Sequence, residues 1–554
     1  MIKIACLSFL LLLANSLSVL AQRISPFLFG QNAWMPHQIG NRIYHGRLDE
    51  LWPLVEASNV KFIRYGGNGV EFNRPTIEQY ISMVDSIRSI GAEPFLQIPQ
   101  GRGAYNATQA ANIVDSVNNI MGKNVTYWSI GNELDNGDSL IDVAGVSRYI
   151  KSFASAMKAI DSTILIAGPE YAGYNSADYA ALLGGAHDIT GKDTNGRFYV
   201  DIITFHSYPF SGSQTRDQVI TWPGSNLLPT VNDLLRKIKA ADSMHKRTRK
   251  HALKWALTEF NVNYLNPGAN TVEGVGTHSF LNGQMWTQVF GIAMKKKALT
   301  VTPWSIHESG GNRTIRDLGY LDGRDTIYPR SSYYHQMLLS ENMRGNVAAS
   351  STNQTNVKTI ASRDSNQVAV VVLNMDSTAN YTFSLRLDNT LAAGTDTLKI
   401  RVKAGIPVQY QGYVPVQTTT VLVFDSSGVL LKECDYGLTH AQSNQAPVCT
   451  FTNVALNKAV TVSSMEDLKT KGLKSDHIPL VFPNPASDKV TIQLSEKGQH
   501  ETYISLLNAQ GQAVISEKAQ GAEHTLNLRY LASGIYIIHI ATLTHTSKYK
   551  IIKR

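Results

Sequence analysis

Apolar positions in residues 26–342 follow two alternating patterns. Short runs rich in Ile, Val, Phe, Leu or Trp, each ending in polar residues, predict strands at 27–32, 60–66, 93–100, 125–133, 163–171, 200–208, 254–262 and 300–307. Segments between them carry apolar residues at helical spacing and predict helices, for example at 76–90, 107–121, 143–160, 228–244 and 279–296. Eight predicted strands that alternate with helices indicate a (β/α)8 barrel, also called a TIM barrel. A doubly wound sheet is the alternative, but it requires a Gly-rich turn after its first strand, and Gly30-Gln31-Asn32 is not such a turn.

The pattern changes after residue 342. Residues 343–430 hold short strands separated by turn residues and no long helix, which predicts a β-sandwich. Residues 431–478 are polar and irregular and are interpreted as a linker. Alternating apolar positions return in residues 479–554 and predict a third, small all-β unit. The sequence therefore predicts a barrel at residues 22–342, a β-sandwich at 343–430, a linker at 431–478 and a third unit at 479–554.

Residues 1–21 have the pattern of a signal peptide: Lys3 supplies the positive start, residues 4–13 are apolar, and Val19-Leu20-Ala21 offers a cleavage site. A membrane anchor is the alternative, but Asn15 and Ser16 break the apolar run before it can span a bilayer comfortably. The sequence thus predicts an exported protein, secreted or at the cell surface, without stable membrane insertion. In such a chain, the nearby pair Cys434 and Cys449 predicts a disulfide.

Composition and charge narrow the classes of partner. Hydrophobic residues make up 43% of the chain and charged residues 17%, which is typical of a globular protein. The formal net charge of +8 suggests an anionic partner, but the basic runs at 245–247 and 295–297 end predicted helices, where cations interact favourably with the helix dipole. The sequence has no basic stripe with interleaved aromatic residues, so nucleic-acid binding is not predicted. It has no His/Cys cluster at zinc spacing either, and neither a metal nor a cofactor is expected.

The C-terminal unit carries two motifs at its ends. It opens with Phe-Pro-Asn-Pro-Ala-Ser-Asp at 482–488 and closes with Gly-Ile-Tyr-Ile-Ile-His-Ile at 534–540 and Lys-Ile-Ile-Lys-Arg at 550–554. This bracket resembles the type A C-terminal sorting domain of the Bacteroidetes type IX secretion system. The resemblance implies that the type IX machinery is a partner and that the protein is exported through the outer membrane. The alternative is a small β-sandwich with a structural or carbohydrate-binding role.

Polar side chains close several of the predicted barrel strands. In a TIM barrel such residues project into the catalytic site at the carboxyl ends of the strands. Strands four and seven lie almost opposite each other across the barrel mouth and end in Glu133 and Glu259. Hydrolysis of a glycosidic bond with retention requires two carboxyl groups that face each other over the bound sugar. The two glutamates are therefore the candidate catalytic pair. The other strand-end candidates are Arg64, Asn132, His206, Tyr208 and Trp304.

This set of strand-end residues resembles that of clan A glycoside hydrolases, particularly families 39, 44, 51 and 30, which combine a barrel with a β-sandwich. The resemblance covers residues 26 to 430. It implies that Glu133 is the general acid/base and Glu259 the nucleophile, with Arg64 and Tyr208 holding Glu259 ionised. It also implies that Asn132 binds the sugar 2-hydroxyl, that His206 lines the site near the acid/base and that Trp304 forms the floor of the −1 subsite. The lower-ranked candidates for sugar contacts are Trp34, Asn32, Gln97 and Tyr264.

Several alternatives remain open. Glu170, Glu308 and Asp135 are rival carboxylates, ranked lower because none pairs as well across the mouth. His206 and Trp304 also suit the barrel core, and Arg64 an internal salt bridge. A surface glycan-binding protein on a degenerate barrel and a transglycosylase are the competing functions. The sugar and the linkage are set by the loops and do not follow from the fold.

Overall fold

The computed structural model describes residues 22–34, 48–100, 103, 105–136, 141–308, 317–323, 326–387, 398–406, 408–451, 480–482, 486–494, 502–507, 513–519, 521–529, 531–532, 534–541 and 546–553. The expected signal peptide and most of the expected linker lie outside these residues. Within the described ranges, no helix is both long and apolar enough to cross a membrane.

Seven parallel strands form the barrel sheet, and their spatial order is their order in the chain. They are β1 Gly30–Trp34, β2 Phe62–Gly66, β3 Glu93–Ile98, β4 Tyr127–Ile130, β5 Leu165–Tyr171, β6 Ile202–Ser207 and β7 Lys254–Phe260. The strands are almost wholly buried, since one face fills the barrel and the other meets the surrounding helices. Their carboxyl ends share one rim, which is where the candidate residues lie.

The eighth barrel strand, expected at 300–307, is not a regular strand. Residues 299–306, which we call the closing segment, instead hydrogen-bond to both ends of the sheet without forming a continuous strand. Val301 forms parallel bridges to Phe29, next to β1, and to Leu257 of β7. Pro303 has no N–H to donate and interrupts a regular ladder. The closing segment still joins β1 to β7, so the TIM-like barrel is confirmed with an irregular eighth position.

Helices surround the barrel. They are α1 Leu48–Ala57, α2 Asn68–Asn73, α3 Ile77–Ser89, α4 Ala107–Val114, α5 Val143–Ile160, α6 Ser176–Leu182, α7 Arg216–Trp222, α8 Leu228–Met244, α9 Phe280–Lys295 and α10 Ser331–Asn342. Thr76 begins α3 with a capping box, in which its hydroxyl accepts from Gln79 N–H and the Gln79 side chain accepts from Thr76 N–H. The helix expected at 107–121 is α4 followed by a π-helical turn, Asp115–Ile120. A short ribbon of β8 Leu321–Asp322 and β9 Tyr328–Pro329 precedes α10.

A β-sandwich follows the barrel. Its strands are β10 Asn346–Ala348, β11 Ser350–Thr352, β12 Val357–Arg363, β13 Gln367–Asn374, β14 Tyr381–Arg386, β15 Leu398–Val402, β16 Gln409–Val414, β17 Thr418–Asp425, β18 Leu430–Gly437 and β19 Val448–Phe451. One sheet contains the order β10-β12-β13-β17-β18-β19 and the other β11-β15-β14-β16. Buried side chains such as Val370, Phe383, Leu385 and Leu422 fill the space between the sheets.

The first sheet continues beyond residue 430 into the segment expected to be a linker. Strands β18 and β19 pair antiparallel, with a short helix, α11 Leu438–Gln442, between them. The expected disulfide joins Cys434 of β18 to Cys449 of β19, which lie opposite each other in this pair.

The C-terminal region is all-β, as expected. Its strands are β20 Leu480–Phe482, β21 Lys489–Gln493, β22 Tyr503–Leu507, β23 Ala513–Lys518, β24 Glu523–Asn527, β25 Gly534–Ala541 and β26 Thr546–Lys553. The last strand, β26, pairs parallel to β19 of the sandwich through residues 546–548. The rings of Phe451 and Tyr549 stack across this junction, with centroids 6.0 Å apart. The sandwich sheet therefore runs on into the C-terminal region.

Candidate active site

The predicted catalytic pair lies at the carboxyl rim of the barrel. Glu133 follows β4, and Glu259 is near the end of β7. One carboxylate oxygen of each, together with one ring nitrogen of His206, lie within 4.8 Å of one another. Glu133 and Glu259 are far apart in sequence. They lie close together because parallel strands have their carboxyl ends on the same rim of the barrel.

Glu259 is held by two strong donors. Its Oε1 accepts from a guanidinium nitrogen of Arg64 at 2.9 Å, and its Oε2 accepts from the Tyr208 hydroxyl at 2.7 Å. Burial raises the pKa of Glu259, and the nearby Glu133 adds to this rise, whereas His206, Arg64 and the Tyr208 hydrogen bond lower it. The net result is that the pKa of Glu259 lies above the ordinary value for a glutamate, with burial as the largest cause.

Arg64 of β2 is the central cation of the site and is inaccessible to solvent. Besides Glu259 it binds a second carboxylate, because its Nη2 lies 2.8 Å from Oε2 of Glu170. The same nitrogen donates to Oδ1 of Asn132 at 2.8 Å. The guanidinium thus contacts three side chains of the site at once. Asn32 and Gln97 also accept from Arg64 and are fully buried.

Glu133 adopts an uncommon backbone conformation. Its φ is 48°, in the left-handed region that residues other than glycine and asparagine rarely occupy. Its N–H donates to the carbonyl oxygen of Glu170 at 2.9 Å, and Glu170 itself has a φ of 56°. Strained backbone of this kind is common where a side chain must be aimed at a ligand. Its effect here is to direct the Glu133 carboxyl toward His206.

His206 of β6 is buried and lies between two carboxylates. Its Nδ1 is 2.8 Å from Oε1 of Glu133, and its Nε2 is 3.2 Å from Oε2 of Glu170. Burial alone lowers the pKa of His206, but the charge of Glu259 and the hydrogen bonds to Glu133 and Glu170 raise it to about 10. The surrounding carboxylates therefore favour the imidazolium over the neutral ring.

Asn132 precedes Glu133 and has a fixed amide orientation. Its oxygen accepts from Arg64, and its nitrogen donates to Oδ1 of Asn68 at 3.1 Å. The second N–H of the amide is left for another acceptor.

Trp304 and Trp34 form an aromatic corner at the mouth, with ring centroids 6.0 Å apart. Both are at least nine-tenths buried and pack with Leu318 and the ring of Tyr208. The indole N–H of Trp304 donates to Oε1 of Glu308 at 2.7 Å, and the indole N–H of Trp34 donates to a backbone carbonyl. Flat apolar rings held in this way suit the C–H face of a sugar.

The rival carboxylates occupy supporting positions. Glu170 contacts Arg64 and His206, and Glu308 contacts Trp304. Burial and the charge of Asp317 raise the pKa of Glu308 to about 8. Asp135 accepts from the backbone N–H of Ala172 at 3.0 Å. The position of Glu170 at a strand end marks it in the sequence as a candidate site residue. Its contacts with Arg64 and His206 leave no local sequence pattern, because these partners lie on other strands.

The spacing of Glu133, His206 and Glu259 also meets the geometric criterion for a metal site, and it is the one such group among the residues that the structure describes. However, both ring nitrogens of His206 face carboxylate oxygens at hydrogen-bonding distance, and an imidazolium has no lone pair to offer a metal. Arg64 already supplies a positive charge to Glu259. The donor set therefore fits a hydrogen-bonded acid/base cluster better than a cation site.

Comparison with known proteins tests the sequence resemblances. Residues 480–554 match the family described as a secretion system C-terminal sorting domain. No match was found among curated proteins. Among solved structures, the chain is similar to an α-L-arabinofuranosidase from Thermotoga maritima, with 15% identity, a TM-score of 0.54, and coverage of 73% of this chain and 97% of that chain.

Two further structures have the same architecture. A family 51 α-L-arabinofuranosidase from Bifidobacterium longum has 13% identity and a TM-score of 0.55, covering 73% of this chain and 96% of that chain. A family 44 xyloglucanase from Paenibacillus polymyxa has 13% identity and a TM-score of 0.50, covering 72% of this chain and 96% of that chain. These matches confirm the expected fold. The barrel and sandwich thus share the fold of these three glycoside hydrolase structures, and residues 480–554 match the secretion system C-terminal sorting domain.

Proposed function

We propose that this protein is a secreted, retaining glycoside hydrolase that cleaves O-glycosidic bonds of a polysaccharide or oligosaccharide. The observation that carries the proposal is the approach of Glu133 and Glu259, which bring carboxylate oxygens within 4.8 Å of each other at the barrel rim. Carboxyl groups of retaining enzymes are about 5–5.5 Å apart, whereas those of inverting enzymes are about 6.5–9.5 Å apart to admit a water. The short separation favours double displacement.

In the first step, an oxygen of Glu259 attacks the anomeric carbon while Glu133 gives its proton to the departing glycosidic oxygen. A covalent glycosyl-enzyme forms and the aglycone leaves as an alcohol. Arg64 and Tyr208 fix both oxygens of Glu259 before attack, so little reorganisation is needed.

In the second step, Glu133 removes a proton from water, and the water oxygen attacks the anomeric carbon from the face that the aglycone left. The bond to Glu259 breaks, and the sugar is released with its original anomeric configuration. No metal or cofactor takes part in this proposal, because the two carboxyl groups supply both the nucleophile and the proton.

The remaining residues would hold the sugar. Asn132 has one N–H without an acceptor among the described residues, which could bind the 2-hydroxyl, and Trp304 with Trp34 offers an apolar platform. The neighbouring structures are named for arabinofuranosides and xyloglucan, which suggests a plant polysaccharide as substrate. Endo-β-glucanase, xylanase or xylosidase, arabinofuranosidase and algal-galactan hydrolase activities are the candidates.

Delivery of the enzyme forms part of the proposal. The signal peptide at 1–21 would take the chain across the inner membrane, and the sorting domain would direct it to the type IX machinery and through the outer membrane. A carbohydrate substrate outside the cell is consistent with this route.

The test is product analysis on a panel of plant and algal polysaccharides and aryl glycosides, with the anomeric configuration of the first-formed product followed by NMR. We expect cleavage of one class with net retention. A β-glycoside that yields an α-product would contradict the mechanism. Tight glycan binding without turnover across the panel would favour the alternative, a non-catalytic surface glycan-binding protein.

A further inference from the structure

We propose that Glu170 is a positioning residue for the reaction above: through His206 it determines which oxygen of Glu133 carries the catalytic proton. This inference rests on the proposed function. The side chain of Glu170 is fully buried and contacts Arg64 and His206. Its role follows from the chain of contacts Arg64–Glu170–His206–Glu133.

The first step concerns the protonation of His206. A neutral imidazole has one N–H donor and one acceptor nitrogen, whereas an imidazolium has two donors. Here both nitrogens face carboxylate oxygens, Nδ1 that of Glu133 at 2.8 Å and Nε2 that of Glu170 at 3.2 Å. With both carboxylate oxygens as acceptors, the imidazolium satisfies both contacts, whereas a neutral ring would have to accept at Nδ1 from a proton on Oε1 of Glu133. Oε2 of Glu259 lies 3.7 Å from Nδ1, and Asp135 also interacts electrostatically with the ring. Arg64 and Tyr208 bind the surrounding carboxylates.

The second step concerns the charge of Glu170. A buried imidazolium needs a counter-charge, since burial by itself favours the neutral ring. Burial also raises the pKa of Glu170, but Arg64 at 2.8 Å and the hydrogen bond from His206 outweigh it and hold the pKa below its ordinary value. Glu170 therefore stays ionised and stabilises the second proton on His206.

The third step concerns Glu133. Because Nδ1–H of His206 donates to Oε1, the acidic proton of Glu133 is placed on Oε2, the oxygen that the ring does not occupy. The main chain of Glu170 supports the same geometry, since its carbonyl oxygen accepts from Glu133 N–H at 2.9 Å. A side-chain substitution at Glu170 changes the contact with His206 and keeps the backbone hydrogen bond to Glu133.

The test variant is Glu170→Gln, which keeps the side-chain shape and removes the charge. NMR of protein labelled with ¹⁵N-histidine reports whether each ring is neutral or protonated, and His206→Gln identifies the signal of His206 among the 15 histidines of the chain. We expect His206 to remain an imidazolium throughout neutral pH in the wild type. In Glu170→Gln we expect its titration to move down by at least one pH unit.

The second readout compares leaving groups. A positioned general acid contributes about 10²–10⁴-fold to the rate, and misplacing its proton should cost part of this. In Glu170→Gln we expect kcat/KM to fall by about 10- to 100-fold for unactivated glycosides and by less than about threefold for dinitrophenyl glycosides, which leave without a proton. A merely structural role would reduce both equally.

The matched control is Asp201→Asn, immediately before β6 and at the opposite end of this strand from His206. It breaks another partly buried ion pair, with Lys158 at 2.5 Å, and lies far from the cluster. We expect it to lower the melting temperature and to leave the ratio between the two substrate classes unchanged.

Three outcomes overturn the inference: a neutral His206 at pH 7 in the wild type, an unchanged His206 titration in Glu170→Gln, or an equal loss for both substrate classes. The first needs no variant, so it decides the matter if Glu170→Gln does not fold. Glu170→Asp is then the substitute, because it keeps the negative charge but moves the carboxylate away from His206 by one methylene group. A wild type that cleaves no glycoside contradicts the proposed function, and the NMR titration then still tests the proton placement.

Discussion

Arg64 and Glu259 form an ion pair at 2.9 Å in which the guanidinium is fully buried and only 6% of the carboxylate side chain is exposed. A buried pair of this kind is sensitive to geometry, because neither charge has water as a substitute partner. Arg64 also holds Glu170 and Asn132, so the pair belongs to a wider cluster.

Arg64→Lys should therefore impair catalysis although it keeps the positive charge. An ammonium is a point charge and cannot bridge Glu259, Glu170 and Asn132 together. We expect kcat/KM to fall by about 100-fold for unactivated and activated aryl glycosides alike, since the nucleophile is misplaced. Arg247→Lys is the control, because Arg247 is a buried arginine that donates to backbone carbonyls of Thr190 and Val200, away from the rim. Equal activity losses in the two variants would contradict a role in orienting Glu259.

Glu259→Gln should abolish turnover and leave the fold intact, because the amide has nearly the same volume and no nucleophilic charge. Circular dichroism and melting temperature check the fold. In the wild type, a fluoro-sugar of the correct type should label Glu259, as mass spectrometry of the digested protein would show. A label on Glu170 or Glu308 would show that the nucleophile is misassigned.

Glu133→Ala should separate the two steps of the mechanism. Glycosides with poor leaving groups need the proton of Glu133, so their kcat/KM should fall by about 10²–10⁴-fold. Activated aryl glycosides leave without a proton, so their kcat/KM should fall much less. Added azide should restore turnover of the activated substrates and give a β-azide from a β-glycoside. If both substrate classes lose activity equally and azide restores neither, Glu133 is not the acid/base.

Gly67→Ala should displace the aromatic platform. A Cβ at this position would lie 2.2 Å from Cη2 of Trp304, and the φ of 81° is unfavourable for alanine. Since a displacement of about 1 Å near a reacting centre can cost about 100-fold, we expect a comparable loss in kcat/KM. Gly91→Ala is the control for backbone strain alone, because its φ is 71° and no atom lies within 4 Å of the added Cβ. Full activity in both variants would exclude a role for Trp304 in substrate binding.

Deletion of residues 480–554 should leave the barrel active in a purified protein and block surface delivery in the native host. In the described residues the sorting domain pairs with the sandwich edge through β26 and β19, so we expect kcat/KM to be unchanged. Cell fractionation and whole-cell activity measure the delivery. Surface activity of the truncated protein would mean that the domain has a binding or structural role instead.

The barrel was predictable because each strand is a local apolar run, and parallel order then follows from the helices between them. The irregular geometry of the closing segment was not predictable, because its apolar residues have the pattern of a strand and Pro303 is the one residue that interrupts it. In residues 430–451, β18 buries Cys434 and Tyr436 on one face and leaves partly exposed polar residues on the other, so it looked like a linker. The paired glutamates followed from strand order, whereas the contacts of Glu170 depend on distances across the barrel that no sequence pattern records.

The parallel pairing of β26 with β19 has a consequence for a protein cut between residues 452 and 479. Such a nick would separate the chain into two polypeptides on a denaturing gel, yet the smaller one would keep its backbone hydrogen bonds to β19 and its ring stack on Phe451. Cleavage and release are thus distinct events, and shedding of the fragment requires these contacts to break. Once it leaves, β19 becomes an open sheet edge, still tethered to β18 by the Cys434–Cys449 bond, with backbone groups free to accept another strand.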